Sequence, residues 1–94
     1  MAAVLSKLEK VKARLGIPSA VTSYDDELTD LIAEAKKQIV ASGVPAELED
    51  DERFVTAQVF YCRARYGSDR SDTNRNMTIF NDIVFRLALE EGGS

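Results

Sequence analysis

The chain contains no histidine. That removes the commonest general base at neutral pH, the usual partner of a serine or cysteine nucleophile, and the commonest zinc ligand. Its single cysteine, Cys62, excludes an internal disulfide and fits synthesis in a reducing compartment. No apolar run is long enough to cross a bilayer. Met1–Leu15 interrupts its apolar positions with charge every third or fourth residue, so it does not read as a signal peptide. Basic residues are also short: 12 Lys and Arg stand against 16 Asp and Glu, for a net charge of −4. A surface that displaces counterions from duplex phosphates needs the opposite balance. A glycine-rich phosphate loop is missing too. From these absences no catalytic residue, metal ligand, cofactor or membrane contact is expected.

What remains is a chain of 94 residues, 45% of them apolar, which suits one domain spanning 1–94 with a modest core. SKLEKVKARLGIP opens with Ser6 and places Glu9 three residues later, the pattern of a capping box. Leu5 is placed to staple the start, and Leu8, Val11 and Leu15 share one face. Gly16 and Pro18 end the helix, which runs from about Ser6 to Leu15. SYDDELTDLIAEAKKQIVASG repeats the grammar, with Ser23 as cap and Asp25, Asp26 and Glu27 at the positive end of the helix dipole. Leu28, Leu31, Ile32, Ala35 and Ile39 form its stripe, and Gly43 closes it. Glu27, Asp30, Glu34 and Lys37 read as solvated surface.

Pro45 breaks the pattern, and Glu49, Asp50, Asp51 and Glu52 follow. Four acids in a row invite a metal reading, but a hard cation needs oxygen ligands at defined offsets around a glycine turn. They read instead as the acidic start of a third helix. FVTAQVFYCRARYG is apolar around most of its circumference, which makes that helix the central one. Cys62 on it reads as a small buried hydrophobe, although Arg63 and Arg65 are near enough in sequence to depress a thiol pKa. In the last segment Met77, Phe80, Ile83, Val84, Leu87 and Ala88 recur at helical spacing, and residues 91–94 form a flexible tail. The fold class expected is all-α, a small bundle of four helices around a central apolar third. Leu31, Ile32, Val59, Cys62, Phe80 and Ile83 are expected in its core.

The most polar stretch is RYGSDRSDTNRNMT, Arg65 to Thr78. As a calcium loop it lacks a central glycine and a downstream bidentate glutamate, and two arginines inside it repel the ion. Gly67 stands where a helix C-terminal glycine belongs, and Asp72 where an N-cap belongs. It reads as a hinge and a cap.

With that hinge, AQVFYCRARYGSDRSDTNRNMTIFNDI resembles the last two helices of the head–tail connector family of tailed bacteriophages. The residues that carry the likeness are Tyr61, Tyr66-Gly67, Asp69, Asp72, Arg75 and Phe80. Upstream, LEKVKARLGI and DDELTDLIAEAKKQI are similar to the family's opening two helices, so the likeness spans about Leu8 to Leu89. Arg70 departs from it, standing where an Asn is common. So does the end of the chain at EEGGS, where many members carry a longer C-terminal arm.

The resemblance implies a structural virion protein without catalysis, made in the host cytoplasm and placed at the capsid vertex. There a homo-oligomeric ring, usually of twelve copies, would sit between the portal protein and a tail-side neck protein. DNA would pass through its channel without sequence-specific binding. Arg65, Asp69, Arg70, Asp72 and Arg75 are then the candidate oligomer and portal interface. The rival readings are a small helical DNA-binding regulator using Arg63, Arg65, Arg70 and Arg75, and a generic helical adaptor.

Overall fold

The computed structural model describes residues 6–66 and 72–92. They form α1 (Lys7–Leu15), α2 (Asp25–Ala41), a 3-10 turn (Ala46–Leu48), α3 (Glu52–Arg65) and α4 (Thr73–Glu91). This is the all-α architecture of four helices expected from the periodicity, with no strand among the described residues.

Local chemistry sets most of the ends. The capping box at α1 is complete: Ser6 Oγ accepts from the Glu9 amide, and the Ser6 amide donates to Glu9 Oε1, both at 3.1 Å. Gly16 ends α1 in the left-handed region (φ 77), which lets the Ile17 amide reach back to the Lys12 carbonyl at 2.9 Å. Gly43 does the same after α2, at φ 106, behind Ser42 at the cap position. Asp51 caps α3 by accepting from the Arg53 amide at 2.9 Å.

Two expected caps are corrected. α2 begins one residue later than Ser23 would place it, with Tyr24 at the cap position and no side-chain cap bond. The Asp25 amide there donates to the Thr22 carbonyl, so a backbone turn leads into the helix. Asp72 does hold the cap position of α4, but its side chain caps nothing. Its φ and ψ of −106° and 15° leave the extended region from which a capping carboxylate reaches the next amides. Thr73 ties this end down instead, donating from Oγ1 to the Ala64 carbonyl at 3.0 Å. Leu5 and Gly67, assigned a staple and a C-terminal turn, lie outside the described residues.

α3 is central, with eight of its fourteen residues buried. One side, Phe54, Ala57 and Tyr61, packs with Ala35 and Ile39 of α2 and Phe80, Val84 and Leu87 of α4. The other, Val55, Val59 and Cys62, packs with Val11 of α1 and Leu28 of α2. Two apolar clusters therefore share one helix, which explains why its sequence is apolar around most of its circumference, with Arg53, Thr56 and Arg63 left to the solvent side. Of the six expected core residues, Val59, Cys62 and Phe80 are buried. Leu31, Ile32 and Ile83 are only half-buried, packed against the margins of the clusters. They sit where α2 and α4 turn toward solvent, because no further helix covers those flanks.

Glu91, expected in the flexible tail, belongs to a helix instead. Glu91 is the last residue of α4, held 3.3 Å from the Arg53 guanidinium, with Glu90 beside it at 2.7 Å. The molecule is a slab with principal extents of 42 × 40 × 17 Å. Since one helix with its side chains is about 10–12 Å across, the thin dimension holds fewer than two full layers. The outer faces of α2 and α4 are left open.

Candidate functional site

Toward the end of α3 the sequence places arginines next to aromatic rings, and the fold uses that pairing. The Arg65 guanidinium lies 4.7 Å from the centroid of the Tyr61 ring, and Arg63 lies 5.4 Å from that of Phe60. Arg63 also donates to the Arg14 carbonyl at 3.0 Å, joining α3 to the end of α1. Tyr66 meets Tyr24 edge to face, with centroids 5.4 Å apart. Beneath them the Tyr61 hydroxyl donates to Glu34 and accepts from Gln38 Nε2 at 3.0 Å. Burial and the Glu34 hydrogen bond hold the Tyr61 pKa up at about 12. Glu34, expected as plain solvated surface, is therefore part of the α2–α3 joint.

Of the five candidate interface residues, Asp72 and Arg75 are exposed at the start of α4, and Arg65 is half-buried on Tyr61. Asp69 and Arg70 lie outside the described residues. Arg63 and Arg65 of α3 are thus each engaged with a ring of their own helix, Arg63 from an exposed position and Arg65 from a half-buried one.

Two of the acids before α3 are engaged in the same way. Glu49 pairs with Lys36 at 2.8 Å, which lowers the Glu49 pKa. Asp51 is lowered by its hydrogen bonds from Arg53, first from the side chain and then from the backbone. Cys62 is fully buried, and its thiol pKa is pushed up to about 12 by desolvation, with a smaller contribution from the Glu27 carboxylate. The idea that Arg63 and Arg65 depress it is overturned: both guanidiniums stack elsewhere, and the apolar surroundings win. A protonated buried thiol is not a nucleophile.

A family model described as phage connector protein matches residues 8–94. The chain belongs to the phage connector protein family. No curated protein and no solved structure matches it. The connector is accordingly a phage structural protein that works through contacts with other head and tail proteins. No described helix is long and apolar enough to cross a membrane.

Sequence reading missed several residues on which the connector's surface depends. Lys12, in sequence one more surface lysine, is buried and bonds the carbonyls of Val21 at 2.6 Å and Ser19 at 3.3 Å, with Asp25 at 2.8 Å. Gln58 is buried on α3, donating to the Ile32 carbonyl and accepting from Lys7. Lys7 also donates to the Glu49 carbonyl at 2.6 Å, and desolvation lowers its pKa. Phe85 and Leu89 are 63% and 69% exposed. A signal for that last pair was present: four residues apart, they fall on the side of α4 away from Phe80, Val84 and Leu87.

Proposed function

We propose that this connector assembles as a closed ring at the capsid vertex, between the portal and the tail-side neck protein, and forms part of the DNA conduit. The observation that carries the reading is the family match over residues 8–94. The shape supports it: a thin protomer with two open helix flanks gains from burying them on neighbours, and head-to-tail contacts close when the rotation divides the circle. Twelve copies, the usual number in such necks, is the expected stoichiometry. Arg65, Asp72 and Arg75, together with Asp69 and Arg70, are the proposed charged seam, with opposite signs on neighbours setting register.

The acidic balance of the chain suits a conduit, because a lumen of like sign repels DNA and does not retain it. Mixing the full chain with its phage's portal assembly and imaging by electron microscopy tests the reading. A ring coaxial with the portal is expected. Failure to bind the portal at any salt or concentration, combined with salt-sensitive binding of duplex DNA, would overturn it in favour of a regulator.

A further inference from the structure

On α4, Phe85 and Leu89 form an exposed apolar knob. Asp82 and Arg86 flank it as an ion pair at 3.2 Å. Elsewhere on the same molecule an open groove of about 400 Å³ lies among α1, α2, the loop before α3 and α3 itself. Ile32 and Ala33 form its apolar wall, and Lys7, Lys36, Glu49 and Asp50 are the charged residues around it. Its edge also carries one ion pair, Lys36 with Glu49. The knob is on the helix that packs along α3, and the groove involves no residue of α4. One protomer therefore carries both halves of a contact on separate elements.

We infer that Phe85 and Leu89 of one protomer seat in the Ile32–Ala33 groove of the next, making a head-to-tail contact between copies of this chain. Two features select a second copy as the occupant. The knob is apolar and the groove has apolar walls, so each removes from water what the other leaves exposed. The Lys36–Glu49 pair at the groove and the Asp82–Arg86 pair at the knob can exchange partners across the contact, Lys36 to Asp82 and Arg86 to Glu49. A face-to-face α4 contact would cover the knob but leave the groove open.

The contact is heterologous, and repetition of it yields a ring or an open chain. It is also small. A stable interface buries about 800 Å² per partner, well above what two side chains and their borders supply. Pairwise association is then weak, and closure or a docking platform completes it. The inference rests on the proposed self-assembly and names the surfaces that perform it.

Engineered cysteines test it, because the native Cys62 is buried and contributes little background. Leu89→Cys and Ala33→Cys both alter exposed positions and leave the core intact. The full-length double variant, oxidised at high concentration with portal present, should give a ladder of cross-linked species. An equimolar mixture of the two single variants should stop at dimers, and each single variant alone should stay uncross-linked. Phe85→Arg should weaken association in sedimentation velocity at least tenfold.

A double variant without a ladder overturns the contact, as does Leu89→Cys alone dimerising as readily as the mixture. The ring reading fails separately. A wild-type ring on the portal with no ladder removes only this contact, whereas a ladder without a ring keeps the contact and removes the closed assembly.

Discussion

Replacing Lys12 by methionine isolates one buried ammonium, since the new side chain keeps most of the stem packing. In the native protein that ammonium sits 2.8 Å from Asp25 and bonds the Val21 carbonyl at 2.6 Å and the Ser19 carbonyl at 3.3 Å. It fastens the loop between α1 and α2 onto α1. Removing one partner of a fully buried pair costs about 3–5 kcal/mol, most of it from the charge left behind. Here the Asp25 side chain remains 29% exposed, so water re-solvates part of that charge. The longer bond to Ser19 adds little. The expected loss is therefore about 2–3 kcal/mol, below the fully buried range. For a domain of this size that lowers the melting temperature by roughly 10–20 °C.

Thermal and urea unfolding of Lys12→Met measure the loss. Hydrogen exchange should show the Val21 and Asp25 amides, which close the loop's turns, opening sooner than those of α3. Asp25→Asn should cost much less in the Lys12→Met background than in the wild type, with a coupling of about 1–2 kcal/mol. A loss under about 0.5 kcal/mol, or strict additivity with Asp25→Asn, would show that the buried ammonium does not hold the loop through Asp25.

Cys62 should resist a thiol reagent in the native protein at about pH 8 and react at once in denaturant; equal rates would place it at the surface. The same burial makes the fold sensitive to alkali. The thiol ionises from 9.0 upward when unfolded but only near 12 when folded, and Tyr61 shifts in the same direction. Stability from both groups is therefore complete below about pH 9 and lost as pH rises toward about 12, which urea titrations along that range would register. Asp72→Ala should change stability by less than about 0.5 kcal/mol, since no cap bond is lost, while Thr73→Val should cost about 1 kcal/mol through the orphaned Ala64 carbonyl. The reverse order in chemical denaturation would restore the carboxylate cap. Tyr61→Phe should lose about 1–2 kcal/mol, because Glu34 and Gln38 lose their shared partner but can still reach water.

Sequence by itself determined the four helices, the capping box at Ser6 and Glu9, the left-handed turn at Gly16, and the central place of α3. Each of these is written within a few residues: a hydroxyl three positions before a carboxylate, a glycine after a stripe, apolar residues around most of one helix. The resemblance to phage connectors agrees with the family match.

Tertiary structure decided the rest. Whether Leu31, Ile32 and Ile83 are core or margin depends on which flank a neighbouring helix covers, and a stripe records only that some flank is covered. The burial of Lys12 depends on where a loop folds back. The Asp72 cap failed because the chain enters α4 with a backbone that points the carboxylate away. Lys7 and Gln58 lie 51 residues apart, and Gln58 and Ile32 lie 26 apart. Helical periodicity reaches three or four residues, so it assigns each helix a buried side but not the residues of other helices that meet it. The knob at Phe85 and Leu89 and the groove at Ile32 and Ala33 exist only once those meetings are made, because each is what the packing of α3 against its neighbours leaves uncovered.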